Sequence, residues 1–360
     1  MGTNDVIRFG IVGCGRISGY HLEALGALAG EAEVAAVCDV IPERAEAAAR
    51  KAGGARWYTD LDAMIRAGGL DVLSVCTPSG LHPEHGMAGA RAGLHVVSEK
   101  PIGIDLPRTD RLIRTCEERG VRLFTVLQNR LNPTIVALRR AMDHGRFGRM
   151  ALMEVNVFWS RPQEYYDQAP WRGTWALDGG AFMNQASHYV DLAQWFGGEV
   201  REVCALTATL GRRIEAEDTG TAILRFESGA LASINVTMLV HPRNLEGSLT
   251  ILGSRGTARV GGIALNRIDH WEFDTYQDED RDILSAGYVP PTVYGHGHLG
   301  YYRNVLDVIR GRAEPSTDGR EGRKSLALIR AIYDSAARGG VPVRPDMDPA
   351  PDHPAPSSPE

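Results

Sequence analysis

One glycine-rich turn, set between an apolar run and an amphipathic segment, constrains this chain more than any other feature. Residues 7 to 12 read Ile-Arg-Phe-Gly-Ile-Val and lead into Gly13-Cys14-Gly15-Arg16-Ile17-Ser18. Residues 16 to 29 then carry Leu22, Leu25 and Leu28 at helical spacing. The first glycine allows a tight strand-to-helix turn. The second lets backbone approach a pyrophosphate. The third place needs only a small side chain, and Ser18 is small. An anion then sits at the positive end of the following helix. Alone the pattern is weak; its setting strengthens it. The next apolar run, 34 to 38, ends in Asp39. An acid there accepts hydrogen bonds from the adenosine ribose and repels a 2′-phosphate, which favours NAD over NADP. The competing reading is an ordinary glycine turn, with Asp39 capping the helix that begins near Pro42.

Strand and helix patterns keep alternating as far as residue 127. Strands are read at 72–76, 95–98 and 122–127, and helices at 42–52, 61–67, 84–92 and 105–119. This predicts a doubly wound parallel sheet with right-handed crossovers, a Rossmann domain over residues 1–127. Thr77-Pro78-Ser79 ends a strand on the carboxyl edge of that sheet, where ligands bind. After a helix at 133–144 the pattern changes to longer strands with two-residue alternation, at 151–159, 220–226, 230–239 and 249–252. Ser228-Gly229 reads as a hairpin turn. An α+β domain over 128–338 follows, with a large, mostly antiparallel open sheet. Helices cover one face, and a second subunit is the simplest cover for the other. Two helices stand out, at 181–196 and at 322–337, the latter with Leu326, Ile329 and Tyr333 on one face. Residues 339–360 are rich in Pro and Asp and read as a disordered tail.

Charge excludes several partners. The net charge of −6 gives no electrostatic reason to bind nucleic acid or an anionic membrane. No run of 18 apolar residues exists to span a bilayer. There is no signal-peptide pattern, and the five cysteines are scattered, so a reduced cytoplasm is expected. His82 and His85, or His296 and His298, lack a carboxylate or cysteine set to complete a metal site, so no metal is expected.

The chemistry is read from two places. Glu99-Lys100-Pro101 follows the strand at 95–98, which brings Lys100 to the sheet edge beside the nicotinamide. Oxidising a secondary alcohol needs a hydride acceptor and a base within hydrogen-bond reach of the hydroxyl. A free lysine is too basic near pH 7. A nearby cationic ring lowers its pKa, or Lys100 stays charged and stabilises the alkoxide. The second place is the 181–196 helix, where Asn184, His188 and Asp191 share one face. Asp178-Gly179-Gly180 before it permits close approach to another backbone or a ligand. Asp191 either orients the imidazole or caps a neighbouring strand. Lys100 and His188 are the candidate acid–base residues, and the residues alone do not choose between them.

These motifs resemble the glucose–fructose oxidoreductase, inositol dehydrogenase and rhizopine-catabolism (Gfo/Idh/MocA) family over about residues 7–338. The markers are the glycine loop, Glu99-Lys100-Pro101, and Gly179-Gly180 leading to His188 and Asp191. The family commonly has Asp where Asn184 stands, and Asn184 holds a hydroxyl but cannot take its proton. Gln128-Asn129-Arg130, the aromatic stretch 161–175, Met183-Asn184-Gln185 and Tyr301-Tyr302-Arg303-Asn304 look like the UDP-N-acetylglucosaminuronate 3-dehydrogenase subgroup. That likeness implies oxidation of the sugar 3-hydroxyl of a UDP-linked N-acetylated uronic acid, for a surface polysaccharide. It also implies a partner aminotransferase, 2-oxoglutarate as re-oxidant of NADH, and a homotetramer. It places the cofactor against Gly13, Gly15, Arg16, Ile17, Asp39, Thr77, Pro78, Ser79, His82, Glu99, Lys100, Gln128, Trp171 and Arg172. The substrate then meets Lys100, Arg161, Asn184 and His188. Arg161, Arg172 and Arg130 are candidates for its phosphates and carboxylate. The alternatives are another sugar or inositol dehydrogenase of the family, and an NAD-binding regulator without catalysis.

Overall fold

A computed structural model describes residues 6–289 and 297–347. Strands β1 (Ile7–Val12), β2 (Ala32–Cys38), β3 (Arg56–Tyr58), β4 (Val72–Val75), β5 (His95–Ser98) and β6 (Leu123–Thr125) form one sheet in the order β3-β2-β1-β4-β5-β6. All of its pairings are parallel. Between the strands run helices α1 (Ser18–Gly26), α2 (Pro42–Lys51), α3 (Leu61–Arg66), α4 (His82–Arg91) and α5 (Leu106–Glu118). Central strands β4 and β5 are buried almost throughout, as expected for a sheet with both faces covered. The doubly wound sheet expected from the alternating pattern is present.

A second sheet contains β7 (Met150–Phe158), β8 (Val200–Ala208), β9 (Thr219–Phe226), β10 (Leu231–Thr237), β11 (Glu246–Gly253), β12 (Gly256–Gly261) and β13 (Arg267–Phe273). Its order is β13-β12-β11-β7-β10-β9-β8. Only β7 and β10 pair in parallel; the other pairings are antiparallel. Gly229, at a φ of +85°, makes the expected β9–β10 turn. Strands β8, β12 and β13 have no counterpart in the sequence reading. The helices of this half are α6 (Pro133–Asp143), α7 (Gln163–Asp167), α8 (Ser187–Gly197), α9 (Gly297–Ile309) and α10 (Gly319–Ala337). Alternate residues of β9 and β10, such as Leu224, Phe226, Ile234 and Val236, join a core with Leu192 of α8 and Ile329 of α10. Their neighbours Ile223 and Leu231 face out.

Three features depart from the sequence reading. Helix α9 crosses the expected division at residue 127: its Tyr301, Tyr302, Val305 and Leu306 pack with Phe9, Ile11 and Phe124 of the first sheet. Residues 341–347 do not behave as a free tail. Val343 exchanges two backbone hydrogen bonds with Val203 of β8, and the Arg323 guanidinium donates to the Asp346 carbonyl. An edge strand with unpaired backbone groups outweighs the Pro-rich composition. The rest of that tail, 348–360, lies outside the described residues, as does His296.

The third departure matters most for the site. The helix expected at 181–196 begins only at Ser187. Residues 179–186 are not helical, and three of their backbone N–H groups go to side chains. Phe182 N–H donates to Glu217 Oε1 at 2.8 Å, and Gly180 and Met183 N–H donate to the Tyr333 hydroxyl at 3.2 and 3.1 Å. The hydroxyl in turn donates to Glu217 at 2.9 Å. A Cβ at Gly180 would overlap the Glu217 carboxyl group, so a larger residue there must push that carboxyl off its hydrogen bonds. Burial pushes Glu217 up to about 7. An acid raised on folding contributes stability that is present below its ordinary range, near 4.5, and is lost as pH rises through about 7. The melting temperature should therefore fall across that window, and Glu217→Gln should make the fall shallower. An equally steep fall in Glu217→Gln contradicts this assignment.

Candidate active site

The glycine loop joins β1 to α1. Gly13 has a φ of +90°. A Cβ on it would lie 2.5 Å from the Cys76 carbonyl oxygen and 2.7 Å from Thr77 N, so the ends of β1 and β4 meet there. Gly15 is different: a Cβ on it would meet nothing within 4 Å. The loop's open side is at Gly15, where backbone can approach a pyrophosphate. Ser18 Oγ donates to the Gly15 carbonyl at 2.7 Å and closes the loop. Arg16 is exposed, and Ile17 opens α1. Asp39 accepts the Cys14 N–H at 2.8 Å on one oxygen and the Ile41 N–H at 2.9 Å on the other. It thus fastens the loop to the start of α2, and each oxygen keeps a second lone pair for a ribose hydroxyl.

Thr77, Pro78 and Ser79 follow β4, as expected. The Gly80 N–H donates to the Leu177 carbonyl at 3.0 Å, so this turn already touches the second half of the chain. His82 is buried, at 1% exposed, with both ring nitrogens on carbonyls, 2.8 Å from that of Thr77 and 2.7 Å from that of Pro101. It joins the cofactor turn to the lysine turn and positions both.

Glu99 and Lys100 follow β5, and the Lys100–Pro101 peptide is cis. Their side chains do not pair. Glu99 is buried: Oε1 lies 2.9 Å from His21 Nε2, and Oε2 accepts the Lys100 backbone N–H at 3.0 Å. Burial opposes its charge, but the hydrogen bond from His21 overcomes this and holds the acid at about 2. His21 Nδ1 lies 2.5 Å from the Tyr302 hydroxyl, which ties the site to α9. His21, Glu99 and His298 are the one group with metal-ligand potential among the described residues, and its first two members are already hydrogen-bonded to each other.

Lys100 Nζ donates to the Asn184 main-chain carbonyl at 2.9 Å. That carbonyl is available because residue 184 precedes α8 instead of lying inside a helix. The Asn184 side chain turns away and donates to Asp178. Burial lowers the Lys100 pKa from its usual value, against the pull of Glu99 and Asp178. Asp178 is buried and raised by that burial to about 6. His188, in the first turn of α8, is 6% exposed. Burial, followed by the Lys100 charge, lowers its pKa well below 6.5, so the imidazole is neutral. Its Nε2 lies 3.1 Å from the Gln128 amide, and its Nδ1 is buried without a partner. The Lys100 charge acts on His188 and the Asp178 charge acts on Lys100.

Asn184, His188 and Asp191 therefore do not share a helical face. Asp191 is bound bidentately by Arg130 at 2.8 and 2.6 Å and accepts from Ser325 at 2.7 Å; it does not orient His188. Arg130 also pairs with Glu321 at 2.9 Å. It is structural, not an anion contact. Arg161 and Arg172 remain. Arg161 lies 5.0 Å from the Trp159 ring centre and 5.5 Å from Tyr165; Arg172 lies 4.1 Å from Tyr165 and 5.6 Å from Trp171. This alternating stack makes a rigid cationic wall. Sequence reasoning missed Asp178, Glu217 and the His21–Tyr302 link. Only Asp178, beside the glycine pair, left a local trace.

The two glycines give a direct test. Gly15→Ala should keep the melting temperature and weaken dinucleotide binding by tenfold or more, since it fills only the open side of the loop. Gly13→Ala should destabilise the fold itself, because its Cβ strikes backbone. Equal effects of the two on stability contradict this division of roles.

Comparison with known proteins agrees with this geometry. Residues 7–127 match the oxidoreductase family with an NAD-binding Rossmann fold, and residues 135–259 match the GFO/IDH/MocA C-terminal domain. The crystal structure of the WlbA dehydrogenase from Bordetella pertussis, in complex with NADH and UDP-GlcNAcA, is 54% identical with a TM-score of 0.92. The match covers 95% of this chain and 99% of that one. The WlbA dehydrogenase from Chromobacterium violaceum, in complex with the same two ligands, is 50% identical with a TM-score of 0.90, over 95% and 97% of the two chains. Among curated proteins, the myo-inositol dehydrogenase Hyg17 of Streptomyces leeuwenhoekii is 30% identical over 93% of this chain and 99% of its own length. With its glycine loop, its strand-end lysine and its buried histidine, the chain belongs to the Gfo/Idh/MocA family of NAD-binding oxidoreductases.

Proposed function

We propose that this enzyme oxidises the sugar 3-hydroxyl of a UDP-linked N-acetylated uronic acid, of the UDP-GlcNAcA type, to a 3-keto sugar. The observation that carries the reaction type is the pair of unspent polar groups at the cleft: the Lys100 ammonium on a single carbonyl, and His188 Nδ1 with no partner. The likeness to structures holding NADH and UDP-GlcNAcA supports the substrate. The open side at Gly15 and the bare His188 nitrogen fit a bound dinucleotide and an alcohol.

NAD, when bound, supplies the hydride acceptor. Lys100 donates to the substrate oxygen and stabilises the negative charge that grows there. His188 accepts the hydroxyl proton at Nδ1. This requires the tautomer with hydrogen on Nε2; the Gln128 amide, whose nitrogen lies 3.1 Å from Nε2, accepts that hydrogen once it is turned over so that its unpartnered oxygen faces the ring. Gln128 is thus a positioning residue for the base. Asn184 contributes its backbone carbonyl to Lys100, and its side chain holds Asp178 beside the lysine. Arg161 and Arg172 face the anionic ends of the ligands.

The wider setting follows the same likeness. A 3-keto product suits an aminotransferase, and 2-oxoglutarate would recycle the NADH, on the way to a surface polysaccharide. The five cysteines are unpaired, which suits a reducing cytoplasm. Exposed Leu206, Ile223 and Leu231 on the open sheet face suit a homotetramer contact. Lys100→Ala and His188→Ala should each lower turnover of UDP-GlcNAcA by about 10²–10⁴-fold while NAD still binds. Unchanged turnover in both, or turnover of inositol with none on UDP-GlcNAcA, overturns the proposal.

A further inference from the structure

We propose that a cleft beside the catalytic centre, with Arg212 as its main contact, binds the diphosphate of the nucleotide-linked substrate. This rests on the nucleotide-sugar reading above. The cleft has a volume of about 1040 Å³ and is lined in part by Ser160, Gln163, Arg212, His241, Arg243 and Asn244. Small-ligand sites run to roughly 300–1,000 Å³, so a nucleotide fits.

The charge in this cleft is one-sided. The acids that follow Arg212 in sequence are already committed: Glu215 accepts the Trp175 N–H at 3.1 Å, Glu217 accepts the Phe182 N–H at 2.8 Å, and Asp218 holds the loop itself. Fully buried, Asp218 accepts the N–H groups of Leu210, Gly211 and Arg212 at 3.0, 2.9 and 2.9 Å. It shapes the loop and leaves the guanidinium of Arg212 without a counter-charge. That guanidinium touches only carbonyls, those of Arg161 at 2.6 Å, Gly211 at 3.3 Å and Met238 at 3.5 Å. Arg161 is held in the same way, by the Ser160 carbonyl at 2.8 Å and Asn244 Oδ1 at 3.2 Å. Among the described residues neither arginine has a carboxylate partner, whereas the partly buried Arg108, Arg139 and Arg259 each do. The one acid lining the cleft is Glu164, which is exposed. Two adjacent, partly buried cations held by neutral acceptors are costly until an anion reaches them.

Position selects the anion. Arg161 is near enough to Lys100 for its charge to act on the ammonium, and its backbone carbonyl holds Arg212 at the cleft. Lys100 at the reacting ring, Arg161 and Arg212 at the diphosphate, and the rest of the cleft at the nucleoside follow the order of a nucleotide sugar. Arg212 keeps two of its five N–H donors, enough for a bidentate grip on phosphate oxygens. An inositol or a free sugar leaves this cleft unused.

Titration calorimetry of the NAD-loaded enzyme with UDP and with uridine tests the assignment. Wild type should bind UDP more tightly than uridine. Arg212→Leu should weaken UDP by about 10–100-fold and leave uridine unchanged, with KM raised and kcat largely kept. Arg212→Lys should recover part of the loss. UDP binding within about twofold of wild type in Arg212→Leu overturns the inference, as does an equal loss of uridine. Failure of the parent reading is separate, since it shows as absent turnover of UDP-GlcNAcA by the wild type.

Discussion

The hydrogen bond from Lys100 Nζ to the Asn184 carbonyl is the contact on which the site depends. It joins the end of β5 to the turn before α8, and so links the two sheets at the point of chemistry. A partly buried ammonium with one neutral acceptor is an expensive arrangement. Glu99 and Asp178 offset part of that cost through their charges. The remaining donors of Lys100 are left for a substrate oxygen. Several distant features keep this contact in place. His82 joins the turns at Thr77 and Pro101. Glu217 and Tyr333 absorb the N–H groups of 180–183 and keep that stretch from becoming helix.

The supporting frame is built from buried charges in matched pairs. Arg130 with Asp191, and Arg323 with Asp110, are both almost fully buried. Each pair crosses between elements far apart in sequence. Such pairs add little net stability, yet losing one partner costs about 3–5 kcal/mol, because the other is left buried and unpaired. Their value here is orientation. Arg130 and Asp191 flank the Gln128–His188 contact, with Arg130 two residues from the glutamine and Asp191 three from the histidine. At the cleft the pattern reverses. Among the described residues, Arg161 and Arg212 are held by neutral acceptors and have no carboxylate partner, and their proposed binding role rests on that contrast.

What was legible in the sequence was local. The glycine turn, its flanking strand and helix, and Asp39 lie close together in the chain, and their meaning follows from backbone geometry. The strand–helix alternation was equally clear, and so was the Gly229 hairpin. What was hidden depends on partners distant in sequence. Residues 181–186 have helical composition, but Glu217 and Tyr333 compete for their backbone. Arg130 looks like an anion contact until Asp191 and Glu321 are seen beside it. Helix α9 returns to the first sheet from about 170 residues beyond its last strand, and no periodicity announces that. Residues 341–347 carry a tail's composition, yet they pair with an edge that only the folded sheet presents. The importance of Asp178 lies in a lysine 78 residues away.

The central claim is that Lys100 and His188, from separate halves of the chain, close on one substrate carbon beside the nicotinamide. A crystal structure of the enzyme with NADH and UDP-GlcNAcA measures this directly. The account predicts both Lys100 Nζ and His188 Nδ1 within about 3.2 Å of the sugar O3, and C3 about 3–3.5 Å from the nicotinamide C4. A complex in which either group lies beyond hydrogen-bond reach of O3, or in which another hydroxyl faces the nicotinamide, contradicts it.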